Sequence, residues 1–353
     1  GELPAASMAD EMLTPGDGQV RALITVAGNP VMSTPNGRKL AGALDGLDFY
    51  VAVDPWITAT SCHADLILPP LSHLETDHFG LAFHGLAVRN TVKYCAPVFA
   101  PPEGALDDWD ILTGLASRLA RTSTHGAARR DRLTVGAARK LGARGLLDVA
   151  LRTGRHGVLR RPFGPRLTLK KLEKMESGMD LGPLEPSGPG RITTPSGRIE
   201  VAPQLCLDDM PRLEAAFEED RLTGGLRLIG RRQLRGCNSW LHNSERMLKG
   251  KQRRCSLMMH PQDAAERGLS DGQTVTVASR VGEVSAQLEF ADIAPGVVSM
   301  PHGWGHGGTG AVLRVAEKAG GARVNDLTDE QHVDRLTGNA ALSGVPVEVR
   351  AGG

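Results

Sequence analysis

The sequence predicts an α/β parallel-sheet domain followed by a C-terminal β-barrel. Three observations carry that prediction. Near the start, apolar runs of strand length alternate with short helical segments, as in a parallel sheet. From about residue 226 onward, short strands with alternating apolar positions follow one another between glycine turns, as in a sheet closed on itself. Composition agrees: 43 glycines and 22 prolines against 4% aromatic residues favour turns over a helical bundle.

Residues 1–20 are irregular, with Pro4, Pro15, Gly16 and Gly18. Residues 20–27 read as a strand buried on both faces, running into Gly28-Asn29-Pro30-Val31-Met32-Ser33. A helix follows over 37–44, a second buried strand over 49–53 ending on Asp54-Pro55-Trp56, and a third over 64–70, stopped by two prolines. In such sheets ligands sit beyond the carboxyl ends of the strands, where Gly28–Ser33 and Asp54–Thr58 fall. Gly28 allows close backbone approach, and Asn29 and Ser33 can hydrogen-bond a ligand. A plain turn accounts equally for Gly-Asn-Pro. With neither a Gly-x-Gly-x-x-Gly run nor a Walker lysine, a nicotinamide or nucleoside-triphosphate site is unsupported.

Four polar residues, His73, Glu75, Asp77 and His78, lack helical metal-site spacing and read as a solvated loop. Residues 110–119 form an amphipathic helix. From 121 to 171 arginines and lysines are dense, Arg160, Arg161 and Arg166 among them, against only Asp131 and Asp148. Aromatic interleaving is missing apart from Phe163, so a solvated helical connector fits better than a nucleic-acid patch. Residues 178–198 read as a Gly/Pro/Ser linker.

The last domain offers strands over 226–229, 257–259, 274–278, 282–288, 297–300 and 345–349. A short helix over 261–269 ends on a glycine, and Gly282 marks a hairpin. His302 and His306 are four apart, but the glycines and proline around them argue for a loop rather than a metal-binding helix. The expected organisation is therefore 1–120, a basic connector and linker over 121–225, and a barrel over 226–353.

The formal net charge of +1 excludes a strong global preference for nucleic acid or membrane. No apolar run approaches the roughly 20 residues of a membrane span. Cys62, Cys95, Cys206, Cys237 and Cys255 are scattered, with no Cys-x-x-Cys, which suggests neither a disulfide framework nor a cluster site and fits a reducing cytoplasm. The first residue is Gly1 rather than Met, which suggests a fragment or processed chain.

The densest polar stretch runs from Arg231 to Asn243. It follows the apolar run 226–229 and holds Arg231, Arg232, Arg235, Asn238, Ser239, Trp240, His242 and Asn243 in thirteen positions. No period of burial explains it. Amides, a hydroxyl and guanidinium groups suit a large polyanionic, hydrogen-bonding ligand; a polar loop capping its own backbone is the alternative.

This stretch, Arg-x-Leu-Arg-x-x-Asn-Ser-Trp-Leu-His-Asn, resembles the opening of the C-terminal domain of the molybdopterin oxidoreductases, the dimethyl-sulfoxide-reductase and formate-dehydrogenase superfamily. The resemblance extends in order through Ala-Gly-Asn-Pro-x-x-Ser, Val-Asp-Pro-Trp-Ile-Thr-Ala-Thr, Ala-Asp-Leu-Ile-Leu-Pro, His73-Leu74-Glu75-Thr76, Val88-Arg89-Asn90 and Asp108-Trp109-Asp110. Thr194–Glu200, His-Pro-x-Asp-Ala, Pro-Gly-Val-Val and Asn325-Asp326-Leu327-Thr328 continue it, so that residues 1–120 and 190–353 are covered. One departure is Ala59-Thr60 where the family often has Glu-Thr.

The resemblance implies a double-psi barrel and a molybdenum (or tungsten) bis-molybdopterin guanine dinucleotide. Gly28, Asn29, Pro30, Ser33, Asp54 and Thr58 would line a guanosine. Arg232, Asn238, Ser239, Trp240, His242 and Asn243 would lie along the pterin dinucleotide, with His302 and Asn325 near it. No catalytic residue or metal ligand is expected in this chain. The ligand to the metal and a [4Fe–4S] cluster would belong to a preceding N-terminal half, the chain's first partner, so that these residues alone would not catalyse. Electron-transfer subunits and a small-molecule substrate are further expected partners; nucleic acid and a direct membrane span are not. A non-catalytic scaffold of the same fold is the alternative.

Overall fold

The computed structural model describes residues 2–122, 128–160, 166–250 and 254–353. Arg161 and Phe163 of the basic stretch lie outside them. Two compact units result: residues 1–67 with 201–353, and residues 68–200. The boundary expected at residue 120 falls inside the helix Asp108–Thr122.

In the first unit, β1 (Ala22–Val26), β2 (Phe49–Val53) and β3 (Leu66–Ile67) form a parallel sheet in the order β1-β2-β3. Helices α1 (Met8–Leu13), α2 (Pro30–Ser33) and α3 (Gly37–Leu44) cover one face, packing Met12, Val31, Leu40 and Leu44 against Tyr50 and Ala52. α3 has the bounds its sequence predicts; the Asn36 Oδ1 caps it by accepting from the Lys39 N–H.

The expectation that the first strand is buried on both faces is not met. β1 is an edge strand, and Ile24 and Val26 expose over two-fifths of their surface, as do Phe49 and Leu66 on the same sheet face. The reason is that α1–α3 pack against the opposite face alone.

The second unit carries β4 (His78–Phe79) paired with β6 (Tyr94–Cys95), and β5 (Asn90–Val92) paired with β7 (Met179–Gly182). β7 corrects the reading of 178–198 as pure linker: pairing to a distant strand ordered its first residues. The basic stretch is largely a helix, Ala128–Thr153, broken at Gly142 where φ is 67°. Three of its charges are used internally: Arg144 binds Asp77 and Glu173, Arg152 binds Asp148, and Arg155 binds Glu185. Asp77 is thereby committed, and among the described residues no three His, Cys, Asp or Glu side chains are grouped to hold a metal.

The chain then closes a six-stranded barrel from β8 (Leu226–Arg231), β9 (Ser256–Met259), β10 (Thr274–Ala278), β11 (Glu283–Phe290), β12 (Val297–Pro301) and β13 (Val345–Ala351), in the order β10-β11-β9-β12-β8-β13. Two pairs, β9–β11 and β8–β12, are parallel and the others antiparallel. Alternation fills the barrel with Leu228, Leu257, Met259, Val275, Val277, Leu288, Val298 and Met300. The parallel-sheet domain and closed barrel expected from sequence are thus both present.

Polar bonds fasten sheet layer to barrel within this unit. Asn36 Nδ2 and Lys39 Nζ both donate to Glu330, and the Arg38 Nε donates to the buried Asp326. The Asn325 Nδ2 donates to the Thr34 carbonyl at 3.1 Å, and the Val312 N–H donates to the Ile57 carbonyl at 2.9 Å.

Candidate functional site

The carboxyl end of β1 and the rim of the barrel enclose one cleft of about 410 Å³. The sheet side contributes Ala27, Gly28, Asn29, Met32 and Ser33. The barrel side contributes Gly230, Arg231 and Arg232 from the end of β8, Asn238, Ser239 and Trp240 from the next loop, and His302 just beyond β12. Val324, Asn325, Leu342 and Ser343 complete it.

On the sheet side the backbone turns sharply at Ala27, where φ is 50°, and Pro30 at the first turn of α2 fixes the helix start. The Thr60 hydroxyl, fully buried, donates to the Asn29 Oδ1 at 2.7 Å and accepts from the Val31 N–H at 3.0 Å. Ser33 Oγ donates to the Asn29 carbonyl.

On the barrel side three successive residues, Cys237, Asn238 and Ser239, hold φ values of 44°, 53° and 82°. Left-handed backbone is costly for residues with a Cβ, Asn least so, and a run of three persists only where surroundings enforce it. The Trp240 N–H bonds the Cys237 carbonyl, and the His242 N–H bonds the Ser239 carbonyl. Gly303, itself at φ 88°, lies against the turn so closely that a Cβ there would sit 3.0 Å from the Ser239 nitrogen. Below the loop, Trp304 is 3% exposed, donates from Nε1 to the Gln233 Oε1 at 3.0 Å, and meets the His242 ring edge-on at 4.8 Å.

Among the described residues no Asp or Glu lines the cleft. Arg231 is largely internal, donating to Ser256 and to the Ser299 carbonyl, and burial lowers its pKa. Arg232 is exposed and free to meet a ligand at the cleft. Burial holds His302 below the usual imidazole range, with Arg232 adding to the effect; His306 is lowered by burial and by Arg323. Both groups are neutral in the fold at pH values where the unfolded chain, at about 6.5, has begun to bind protons. Their stabilisation is therefore complete above about pH 6.5 and is lost as pH falls from there through the lowered folded values. Urea midpoints measured between about pH 7.5 and 5.5 should fall, with a shallower slope in His306→Gln; an identical slope in the variant would remove His306 from the account.

Of the residues singled out from sequence, Gly28, Asn29, Ser33, Arg232, Asn238, Ser239, Trp240, His302 and Asn325 meet in the cleft. Pro30, Asp54, Thr58, His242 and Asn243 do not line it. Asp54 is buried and accepts from the Trp56 N–H, closing the turn after β2, with its pKa raised by burial. The Thr58 hydroxyl bonds the Ser61 hydroxyl and accepts from the Ser61 N–H at the start of the turn Ser61–His63. His242 supports Trp304 from within, and the Asn243 Oδ1 accepts from Val315 and Ala316 at the start of the helix Arg314–Ala319. Sequence reading missed Thr60, Gly303, Leu342 and Ser343. The pair Ser343-Gly344 before the last strand was a turn signal, and Thr60 closes the motif Val-Asp-Pro-Trp-Ile-Thr-Ala-Thr, though no role was assigned to it.

A parallel-sheet edge and a barrel rim thus jointly line one cleft rich in polar side chains. Comparison with known proteins shows the family. Residues 1–118 match the molybdopterin oxidoreductase family, and residues 226–346 match the molydopterin dinucleotide binding domain. The chain belongs to the molybdopterin oxidoreductase superfamily.

It is 25% identical over 327 residues to the biotin sulfoxide reductase of Cereibacter sphaeroides, covering 85% of this chain and 42% of that protein. It is 35% identical over 123 residues to the assimilatory nitrate reductase catalytic subunit of Bacillus subtilis (strain 168), covering 34% of this chain and 16% of the other. Acetylene hydratase from Pelobacter acetylenicus has the same fold, with a TM-score of 0.69 at 19% identity over 99% of this chain and 46% of that one. The chain therefore spans less than half the length of these relatives. Among the described residues no helix is long and apolar enough to cross a membrane.

Proposed function

We propose that this chain is the cofactor-holding part of a molybdenum- or tungsten-dependent oxidoreductase, and that its cleft holds one end of bis-molybdopterin guanine dinucleotide. The observation that carries the reading is the lining: Arg232, the Asn29 Nδ2, Asn238 and Ser239 bring donors with no partner among the described residues, and no Asp or Glu among those residues stands beside them. Such a set donates to a ligand that accepts, as phosphate oxygens and the carbonyls of pterin and guanine do. The residues present fit that cofactor in kind. The bound metal centre supplies the two-electron chemistry; this chain's residues bind and orient.

On this reading the ligand to the metal and a [4Fe–4S] cluster come from a preceding half, and these residues alone do not turn over substrate. The bare sheet face of Ile24, Val26, Phe49 and Leu66 supports a partner of that kind, since exposed apolar patches mark surfaces that are covered in use. Electron-transfer subunits and a small-molecule substrate belong to the whole protein. Its cytoplasmic setting rests on five cysteines, all free. A non-catalytic scaffold of the same fold would not need the donor set of the cleft. A nucleic-acid role for the basic stretch is opposed by the pairing of Arg144, Arg152 and Arg155 with acids.

GDP serves as a probe for the nucleotide end. The chain should bind it, and Arg232→Ala should weaken binding about tenfold or more, the range for a charge-assisted hydrogen bond. Thermal stability should change little, because Arg232 is exposed. Absence of GDP binding, or binding indifferent to Arg232→Ala, would overturn the reading.

A further inference from the structure

Asn29 stands at the cleft with a carboxamide that could present either its oxygen or its nitrogen. Which way it points decides what the site accepts. The answer lies in a residue that does not itself line the cleft. Thr60 is 0% exposed, and its hydroxyl has one proton to give. The Val31 N–H already donates to the Thr60 Oγ1 at 3.0 Å, and the Asn29 carboxamide lies 2.7 Å away.

If the amide were reversed, its NH2 would donate to a hydroxyl that already accepts, and the Thr60 proton would have no acceptor in a site closed to water. An unsatisfied buried donor of that kind costs about 1–3 kcal/mol. With Oδ1 toward Thr60, every group in the set is paired. The two N–H donors of Nδ2 are then the groups left to face the cleft, with no partner among the described residues.

We propose that Thr60 is a positioning residue: it locks the Asn29 carboxamide with its nitrogen toward the ligand, so that this corner of the site takes only hydrogen-bond acceptors. This rests on the cleft being the nucleotide-binding site. It gives a role to the position beside Ala59, where the sequence departs from the family pattern. Selectivity follows from the cost of apposing two donors, because a group unable to accept leaves the Nδ2 donors unpaired.

Two measurements on the 353-residue chain test it. The first needs no ligand. In nitrogen-15 spectra the Asn29 side-chain amide should show two well-resolved, restrained protons in the wild type and in Thr60→Ser, and free-amide signals in Thr60→Val. A wild-type Asn29 amide already averaged to free-amide values overturns the proposal, whatever GDP does.

The second uses GDP affinity. Asn29→Ala should weaken it about tenfold. Asn29→Asp, which keeps the bond from Thr60 but turns an oxygen toward the ligand, should weaken it further. Thr60→Val should cost about five- to tenfold, Thr60→Ser should restore most of it, and Thr60→Val should add nothing once Asn29 is alanine. Thr60→Val leaves the Val31 N–H without an acceptor, so its own stability can fall; the Asn29→Asp comparison is free of that effect. Equal or tighter GDP binding by Asn29→Asp than by Asn29→Ala, or full additivity of Thr60→Val with Asn29→Ala, overturns the proposal. If the wild type binds no GDP while the amide is restrained as described, the nucleotide reading of the cleft falls and the Thr60 lock stands.

Discussion

Trp304→Ala is expected to destabilise the barrel unit by about 3–5 kcal/mol, the range for deleting a buried aromatic side chain, and to abolish GDP binding with it. The ring is 3% exposed and sits where the loop after β12 passes under the loop after β8. Its Nε1 holds Gln233 and its ring meets that of His242 in a T-shaped contact. Those two residues bracket the left-handed run at Cys237, Asn238 and Ser239. On its other side Gly321, at φ 88°, lets the chain pass: a Cβ there would lie 3.1 Å from Trp304. Removing the ring therefore opens a cavity and unmoors the turn that carries two cleft asparagine and serine side chains. Trp304→Phe keeps most of the buried area and loses the bond to Gln233, so it should cost only about 1–2 kcal/mol. Urea unfolding read with limited proteolysis of the 233–243 loop would check both. An alanine variant within about 1 kcal/mol of wild type would show that the ring does not support the loop.

Gly37→Ala should be comparably severe, for a backbone reason. A Cβ on Gly37 would lie 2.2 Å from the Val31 carbonyl oxygen, closer than any real contact, and that oxygen belongs to the main chain of α2. Relief requires moving α2 away from α3. The same helix start carries Asn36, Arg38 and Lys39, which bind Glu330 and Asp326 of the barrel side. The displaced helices would pull Asn29 and Ser33 from the cleft as well. We expect a loss of about 3 kcal/mol or more, at the upper end for overpacking. Gly42, in the same helix, has open space where its Cβ would be, so Gly42→Ala should be neutral or slightly stabilising. Thermal unfolding of the two variants side by side decides it. A Gly37→Ala transition within about 2 °C of wild type would mean that α2 and α3 slide freely.

Much of the fold is legible locally. The helix over 37–44, the strand over 49–53 and the strand over 274–278 have the bounds their sequence predicts. In each, the period of apolar residues, the capping asparagine or the flanking glycine acts within a few positions. The 226–231 strand and the polar loop behind it could also be placed, because a dense run of Arg, Asn and Ser after a strand end is itself the signal. Strand β7 could not, since Met179–Gly182 pairs with Asn90–Val92, some ninety residues away by number, and nothing near it announces the partner.

By itself, then, the sequence determined the two architectures, the superfamily and most of the residues that line the cleft. Those depend on residue type and short spacing, which a linear chain displays. Tertiary structure alone decided which polar residues face the cleft. Asn243 and Thr58 have the same chemistry as Asn238 and Ser33, yet one caps a helix more than seventy residues onward and the other closes its own turn. It also decided that β1 keeps a bare face, that Asp54 turns into its own loop, and that Thr60 fixes Asn29. Hydrogen-bond capacity is a property of a side chain, but its direction is set by whichever partner the fold brings within 3 Å or so, and that partner is chosen by packing between segments far apart in the chain.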